Sequence, residues 1–279
     1  MRVEEFGLSN NFNQLSVRYE PSQEVLWTYL NQQNIVPCCN RELIAEITQH
    51  QQEIANTNGV LLHENKVHHI KYSVFASLTP NVFNLGGHLA LIVELAKSKN
   101  KEALLSYAIK GIDGLLIRLN RFNDAPILNI TLIQGMALGG GLEAALGSDI
   151  IIAERKSILA FPEINFNMFP GMGGYSLVAR KAGFKAADEM ILKGKQCTAE
   201  EAYALGLVDV LAENGQGEKA VFDWIETNKR AANGFLAAHK AKNRINPITR
   251  EELIDITKMW VDIALKLTER VQHHESLYL

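Results

Sequence analysis

Residues 132–175 read LIQGMALGGGLEAALGSDIIIAERKSILAFPEINFNMFPGMGGY, and the order of parts in this stretch decides the fold. The apolar run 127–133 that leads into it reads as a buried strand. Gly139, Gly140 and Gly141 follow, and then LEAAL, a good helix former. Three glycines between a strand and a helix make a turn whose backbone N–H groups can approach a ligand closely. At a helix N-terminus the macrodipole favours negative charge, which is the arrangement that stabilises an oxyanion. Glu143 falls in the first turn of this helix, and Glu163 follows twenty residues later in FPEINF. Two carboxylates beside such a turn point to acid–base chemistry next to a carbonyl.

A plain alternative is a pair of solvated carboxylates, with Glu143 placed early in its helix because the dipole favours it. The apolar neighbours Leu142, Ala144, Phe161, Ile164 and Phe166 favour a working pair, because a carboxyl in an apolar pocket has a raised pKa. A phosphate-binding loop is a poor rival, since the lysine and hydroxyl residue that should follow its last glycine are missing. Gly171, Gly173 and Gly174 shape a loop after Pro170. Phe161, Phe166, Met168, Phe169, Met172 and Tyr175 cluster about Glu163, as core packing or as the lining of an acyl pocket.

Upstream, Pro80 and Asn81 mark a loop, and Gly86 and Gly87 precede a helix that begins near His88 and carries Leu89, Ile92, Val93 and Leu95. This is a second glycine turn feeding a helix. The alternation at Leu15, Val17 and Tyr19 and the run EVLWTYL predict a hairpin about Pro21, with 1–13 frayed. A helix is expected from Arg41 to about Ala55, a strand over 68–77 and a long helix over 101–122. Downstream, another helix is expected over 180–193. Thr198 with Glu201, and Thr249 with Glu252, are two capping boxes, and Gly206 ends the first of those helices. On the last helix Leu253, Ile256, Trp260, Ile263, Ala264, Leu267 and Val271 form one apolar face, to be packed on the core or on a neighbouring subunit. Alternating strands and helices imply stacked ββα units in an α/β core over 1–197, with a C-terminal helical oligomerisation region over 198–279.

A net charge of −3 gives no global argument for nucleic-acid binding. No apolar run reaches the length of about 18 residues that a membrane span needs, and MRVEEFGLSNNFNQ lacks the apolar core of a signal peptide. Cys38, Cys39 and Cys197 are odd in number and include an adjacent pair, which suits a reducing cytoplasm better than a disulfide framework. His68 and His69 should point to opposite faces of a strand and His273 and His274 to sit in a loose tail, so no metal site is expected. His239, Lys240, Lys242 and Arg244 form a basic run, either a solvated face or a contact for coenzyme A phosphates or an acidic carrier protein.

The ordered motifs ALGGGLEAALGSDIIIA, FPEINFNMFPGMGGYSLVAR and TAEEAYALGLVDVL resemble the crotonase (enoyl-CoA hydratase/isomerase) superfamily. FNLGGHLALIVEL (83–95), the triple glycine, FPGMGGYS and ITREELIDITKMWVDIAL (248–265) are similar to one branch, the diffusible signal factor synthases, which make cis-2-unsaturated fatty acids. The similarity runs from about residue 15 to about residue 267. It implies a crotonase-like spiral of ββα units, with Glu143 and Glu163 as the proton-transfer pair and the N–H groups of Gly87 and Gly140 as the oxyanion donors. Most members carry an aspartate where this chain has His88, which leaves the hydrogen bonding of that loop open. Leu85, Gly86, Met136, Leu138, Gly139, Gly141, Phe166, Met168, Phe169, Gly171, Met172 and Trp260 are the expected substrate-binding positions.

The implied activity is dehydration of a 3-hydroxyacyl thioester on acyl carrier protein to a cis-2-enoyl product, followed by thioester hydrolysis. It uses no metal or redox cofactor beyond the phosphopantetheine that the substrate brings. The first alternative is an enoyl-CoA hydratase or isomerase acting on coenzyme A esters. The second is a crotonase-fold binding protein for a sensor histidine kinase. The resemblance also implies a homotrimer or a dimer of trimers.

Overall fold

The computed structural model describes residues 11–266. Strand β1 (Leu15–Glu20) turns back into β2 (Val25–Leu30), the hairpin expected about Pro21. Asn13 is not frayed: its backbone N–H donates to Glu46 at 2.7 Å. Helix α1 (Arg41–Asn56) starts on the side chain of Asn40, which accepts from the N–H of Leu43. The hairpin β3 (Val60–His63)–β4 (Lys66–His69) and strand β5 (Tyr72–Ser77) replace the single strand expected over 68–77. The chain breaks there because 66–69 pair antiparallel with 60–63, whereas 72–77 enter a parallel sheet, with Ile70 buried at the junction.

Strand β6 (Val82–Asn84) leads to α2 (Leu89–Lys97) and α3 (Lys101–Leu119). The helix expected to reach 122 stops at 119. Arg121–Asp124 instead form a left-handed turn, held by buried Phe122 and by the buried pair of Arg121 with Asp149 at 3.0 Å. Strands β7 (Leu128–Ile133) and β8 (Met136–Leu138) precede α4 (Gly140–Leu146). Strands β9 (Ile150–Glu154) and β10 (Ile158–Ala160) precede a 3-10 turn (Pro162–Phe166) and α5 (Gly174–Ala182). The helix expected over 180–193 is therefore three pieces. Gly183, at φ +89°, ends α5, and a short helix (Phe184–Ala187) and a π-helical turn (Asp188–Leu192) follow.

The last elements are β11 (Cys197–Thr198), α6 (Ala199–Ala204), β12 (Val210–Ala212), α7 (Gly217–Asn228), α8 (Ala232–Ile245) and α9 (Arg250–Ala264). The six-stranded sheet runs β1-β2-β5-β7-β9-β12 and is parallel except for the β1–β2 pair; the four-stranded sheet runs β11-β10-β8-β6. Consecutive strands thus go to different sheets (β5 and β6, β7 and β8, β9 and β10) before the chain turns into helix. This is the mixed α/β architecture of stacked ββα units. The division expected at 197/198 falls inside β11, and β12 pairs with β9, so the stretch up to 212 belongs to the sheets.

Both helix-start expectations meet a real cap, but only one is reciprocal. Thr198 and Glu201 form a full capping box. Thr249 caps α9, whereas the carboxylate of Glu252 turns away to Arg180 at 2.7 and 2.9 Å and to the Ser176 hydroxyl. The apolar stripe of α9 packs on its own chain: Leu253 joins the main core, and Trp260, Val261 and Ala264 join a cluster with Leu104 and Tyr107 of α3. That stripe is not a free oligomerisation face, and Leu267, Val271, His273 and His274 lie outside the described residues.

Candidate active site

The two glycine turns meet. Gly86 stands at φ +92°, and a Cβ there would fall 2.7 Å from the Leu138 carbonyl and 3.0 Å from the Gly140 nitrogen. A Cβ on Gly140 would lie 3.5 Å from the Gly87 nitrogen, so the two amides expected as oxyanion donors are neighbours. Gly140 is the first residue of α4, where a helix leaves its N–H groups unsatisfied. Neither the Gly87 N–H nor the Gly140 N–H donates a hydrogen bond among the described residues. Both glycines line a cavity of about 360 Å³.

Glu143 projects from the first turn of α4 into the same cavity and is 1% exposed. One oxygen accepts from the N–H groups of Met172 at 2.9 Å and Gly174 at 2.7 Å, the latter the first amide of α5. Burial outweighs those two donors and raises its carboxyl from an ordinary 4.5 to about 7. Glu163 comes from the 3-10 turn, which starts on Pro162 and ends on left-handed Asn167. Its Oε1 lies over Gly139, 2.4 Å from where a Cβ on that residue would be. Although the residue as a whole is half-buried, its Oε2 is sealed from solvent and has no partner among the described residues. Burial, and then the charge of Glu143, push its carboxyl up to about 8. The two carboxyls therefore titrate as one interacting pair.

His88 resolves the hydrogen bonding of its loop. Its Nδ1 accepts the Leu91 N–H at 3.1 Å and caps α2, the kind of contact that a short acceptor makes at a helix start. Of the expected substrate positions, Leu85, Leu138, Gly139, Phe166, Met168, Gly171, Met172 and Trp260 line the cavity, with Gly87 and Gly140. Four do not. Gly86 is buried, does not line the cavity and shapes the turn. Gly141 is a packing glycine, since a Cβ there would lie 2.4 Å from the Asn84 carbonyl. Met136 sits in the small sheet between β6 and β10, and Phe169 is a core contact. The basic run also stays away from the cavity: Lys240 reaches the Asp124 carbonyl at 3.2 Å, and His239 lies 3.5 Å from Asp149.

The structure adds Val36, Cys38, Cys39, Ile44, Tyr107, Ala108, Pro162 and the α2 residues Leu89, Ala90, Ile92 and Val93 to the lining. Burial pushes the Cys38 thiol up to about 11 and the Cys39 thiol higher still, so both stay protonated. Nothing in NIVPCC or in KEALLSYAIKG marks these residues as part of a site. Their place depends on a loop laid across the Gly86–Gly87 turn by the Cys39 N–H to Gly86 carbonyl bond of 2.7 Å.

A largely apolar cavity with two amides unengaged among the described residues and two high-pKa carboxyls suits proton transfer on a polarised acyl group. Residues 44–278 match the family model described as enoyl-CoA hydratase/isomerase, and the chain belongs to that family. Among solved structures, it is similar to an enoyl-CoA hydratase from Bacillus halodurans, with a TM-score of 0.74, 19% identity and coverage of 95% of this chain and 100% of that one. It is also similar to DspI from Pseudomonas aeruginosa, with a TM-score of 0.65, 21% identity and 97% of each chain covered. At these identities the likeness establishes a shared crotonase fold.

Proposed function

We propose that the chain dehydrates a 3-hydroxyacyl thioester to a 2-enoyl thioester and then hydrolyses it to the free acid. The observation that carries this reading is the unequal pair of glutamates in one cavity beside two unengaged amides. Glu143 has two N–H donors that favour its anion, and Glu163 has an oxygen with none among the described residues. Both carboxyls are raised, so near neutrality the pair shares a proton, and the two N–H donors on Glu143 favour its anion and leave that proton to Glu163.

Glu143 then takes the proton from C2 while the thioester oxygen gathers charge against the Gly87 and Gly140 amides. Glu163 gives its proton to the hydroxyl at C3, the C3–O bond breaks and water leaves. Elimination ends with Glu163 ionised and Glu143 protonated, and hydrolysis needs that state. Glu163 can deprotonate a water that adds to the carbonyl carbon, and the tetrahedral oxyanion occupies the same amides. Glu143 returns its proton to the departing thiolate, which restores the starting pair. The scheme is redox-neutral and calls on no metal or redox cofactor.

The cis product, the carrier-protein substrate, the trimeric assembly and a sensor-kinase partner rest on the motif resemblance to signal factor synthases. Exposed Phe184, Leu192 and Ile245 would suit an assembly. A catalytically silent binding protein is disfavoured, because two carboxyls held in an apolar cavity with no cationic partner among the described residues cost stability that binding alone does not require. The test is purified protein with 3-hydroxyacyl carrier-protein substrates of varied length and mass spectrometry of the acids released. Free cis-2-enoic acid supports the reading. Rapid hydration of crotonyl-CoA with no free acid replaces it with a hydratase acting on coenzyme A esters.

A further inference from the structure

We propose that Tyr107 is a positioning residue that aims the Gly87 amide into the cavity, an inference that rests on the oxyanion reading of that amide. Four successive N–H groups run through the turn. The Leu85 N–H donates to the Pro37 carbonyl at 2.8 Å, the Gly86 N–H to the Asn84 side chain at 2.8 Å, and the His88 N–H to the Tyr107 hydroxyl at 3.0 Å. The Gly87 N–H alone among the four has no partner among the described residues. Its direction is set by what holds the peptides on either side. On the upstream side the Cys39 N–H grips the Gly86 carbonyl at 2.7 Å. On the downstream side the Tyr107 hydroxyl takes the His88 N–H and donates in turn to the Cys39 carbonyl at 2.5 Å. One phenol thus ties helix α3, the 36–39 loop and the glycine turn together. It lies 3.8 Å from where a Cβ on Gly87 would be. Burial raises the phenol far above its ordinary value, so it remains a protonated donor.

An amide fixed before the substrate arrives stabilises developing charge without reorganisation. Tyr107→Phe keeps the ring and loses the clamp. Its kcat should fall about 10–100-fold with KM changed less than about 3-fold, because the interaction lost is made chiefly in the transition state. The direct readout is infrared difference spectroscopy of crotonyl-CoA labelled with carbon-13 at the thioester carbonyl and bound to Glu163→Gln. Its carbonyl band should lie below that of the free ester. In Tyr107→Phe/Glu163→Gln it should move back toward the free value. Leu104→Val, a packing change one helical turn away on α3, should lower Tm and leave the band in place. If Tyr107→Phe does not fold, 3-fluorotyrosine at position 107 keeps the shape while weakening the hydroxyl as an acceptor, and the band should move the same way by less. A displaced band that ignores both changes at position 107, or a Tyr107→Phe enzyme with undiminished kcat, overturns the positioning role alone. No displacement with Tyr107 intact overturns the oxyanion reading and this inference with it.

Discussion

At the scale of single residues, the site is defined by two carboxyls that fold into a place where ionisation is costly. Their pKa values rise from an ordinary 4.5 to about 7 and about 8, so the folded chain binds these protons more tightly than the unfolded chain. The stability they contribute is therefore fully present below the ordinary carboxylate range and is lost as pH rises from about 4.5 to about 8. Glu143→Gln and Glu163→Gln remove that loss. Each variant should match the parent near pH 4.5 and exceed it at pH 8.5, by an amount on the order of 1–3 kcal/mol in denaturant titrations. Equal stability differences at both pH values would show that the carboxyls are not buried as described. Activity should move in the opposite sense. Each substitution should cost about 10²–10⁴-fold in kcat/KM. The parent's pH–rate profile should be a narrow bell with apparent limbs near 7 and 8, values that belong to the pair.

At the scale of elements, the turns and caps that hold the chemistry were legible because they are local. A triple glycine between an apolar run and LEAAL has few other readings, and Thr198 with Glu201 carries its own geometry. Breaks inside elements were not legible when they were set by distant partners. Periodicity carried 101–122 as one helix, yet a buried ion pair with Asp149 pulls Arg121 into a left-handed turn. The spacing of Thr249 and Glu252 spells a capping box, but Arg180 on another helix claims the Glu252 carboxylate. The Gly139 turn allows a sharp test. Its φ of +48° with ψ of −124° is a conformation that L side chains rarely adopt, and Glu163 lies over the place where a Cβ would go. Gly139→Ala should leave circular dichroism essentially unchanged while lowering kcat/KM by about 100-fold or more, because displacing a reacting group by an ångström has effects of that size. Thr198→Ala, by contrast, should cost about 1 kcal/mol in denaturant titration and leave turnover alone.

At the scale of the whole molecule, the cavity joins segments far apart in sequence: 36–39, the two glycine turns, α2, α3, the loop after Pro170 and the C-terminal helix. Glu143, Glu163 and the two glycine turns, which the motifs bring forward as candidates, do share one cavity, and each lies within a short window of sequence. The motifs are silent on Tyr107 and the cysteine loop, which reach the cavity only through tertiary packing. Trp260 of α9, expected from the motifs as a substrate-binding position, is the distant wall of this cavity. It is 6% exposed, lines the cavity and presses on Gly171, where a Cβ would fall 2.6 Å from its ring. Because that ring closes one side of an apolar space, its size should limit the acyl chain. Trp260→Ala should destabilise the protein by about 3–5 kcal/mol, as large-to-small core changes do. Among the free acids released from a mixed set of 3-hydroxyacyl substrates, it should shift the product distribution toward longer chains. The smaller Trp260→Phe should make the same shift in part, with a Tm close to the parent's. An unchanged chain-length profile in a folded Trp260→Phe enzyme would mean that the acyl chain leaves the glutamates in another direction, along α2 and the 36–39 loop, and Val93→Phe would then be the substitution that shortens it.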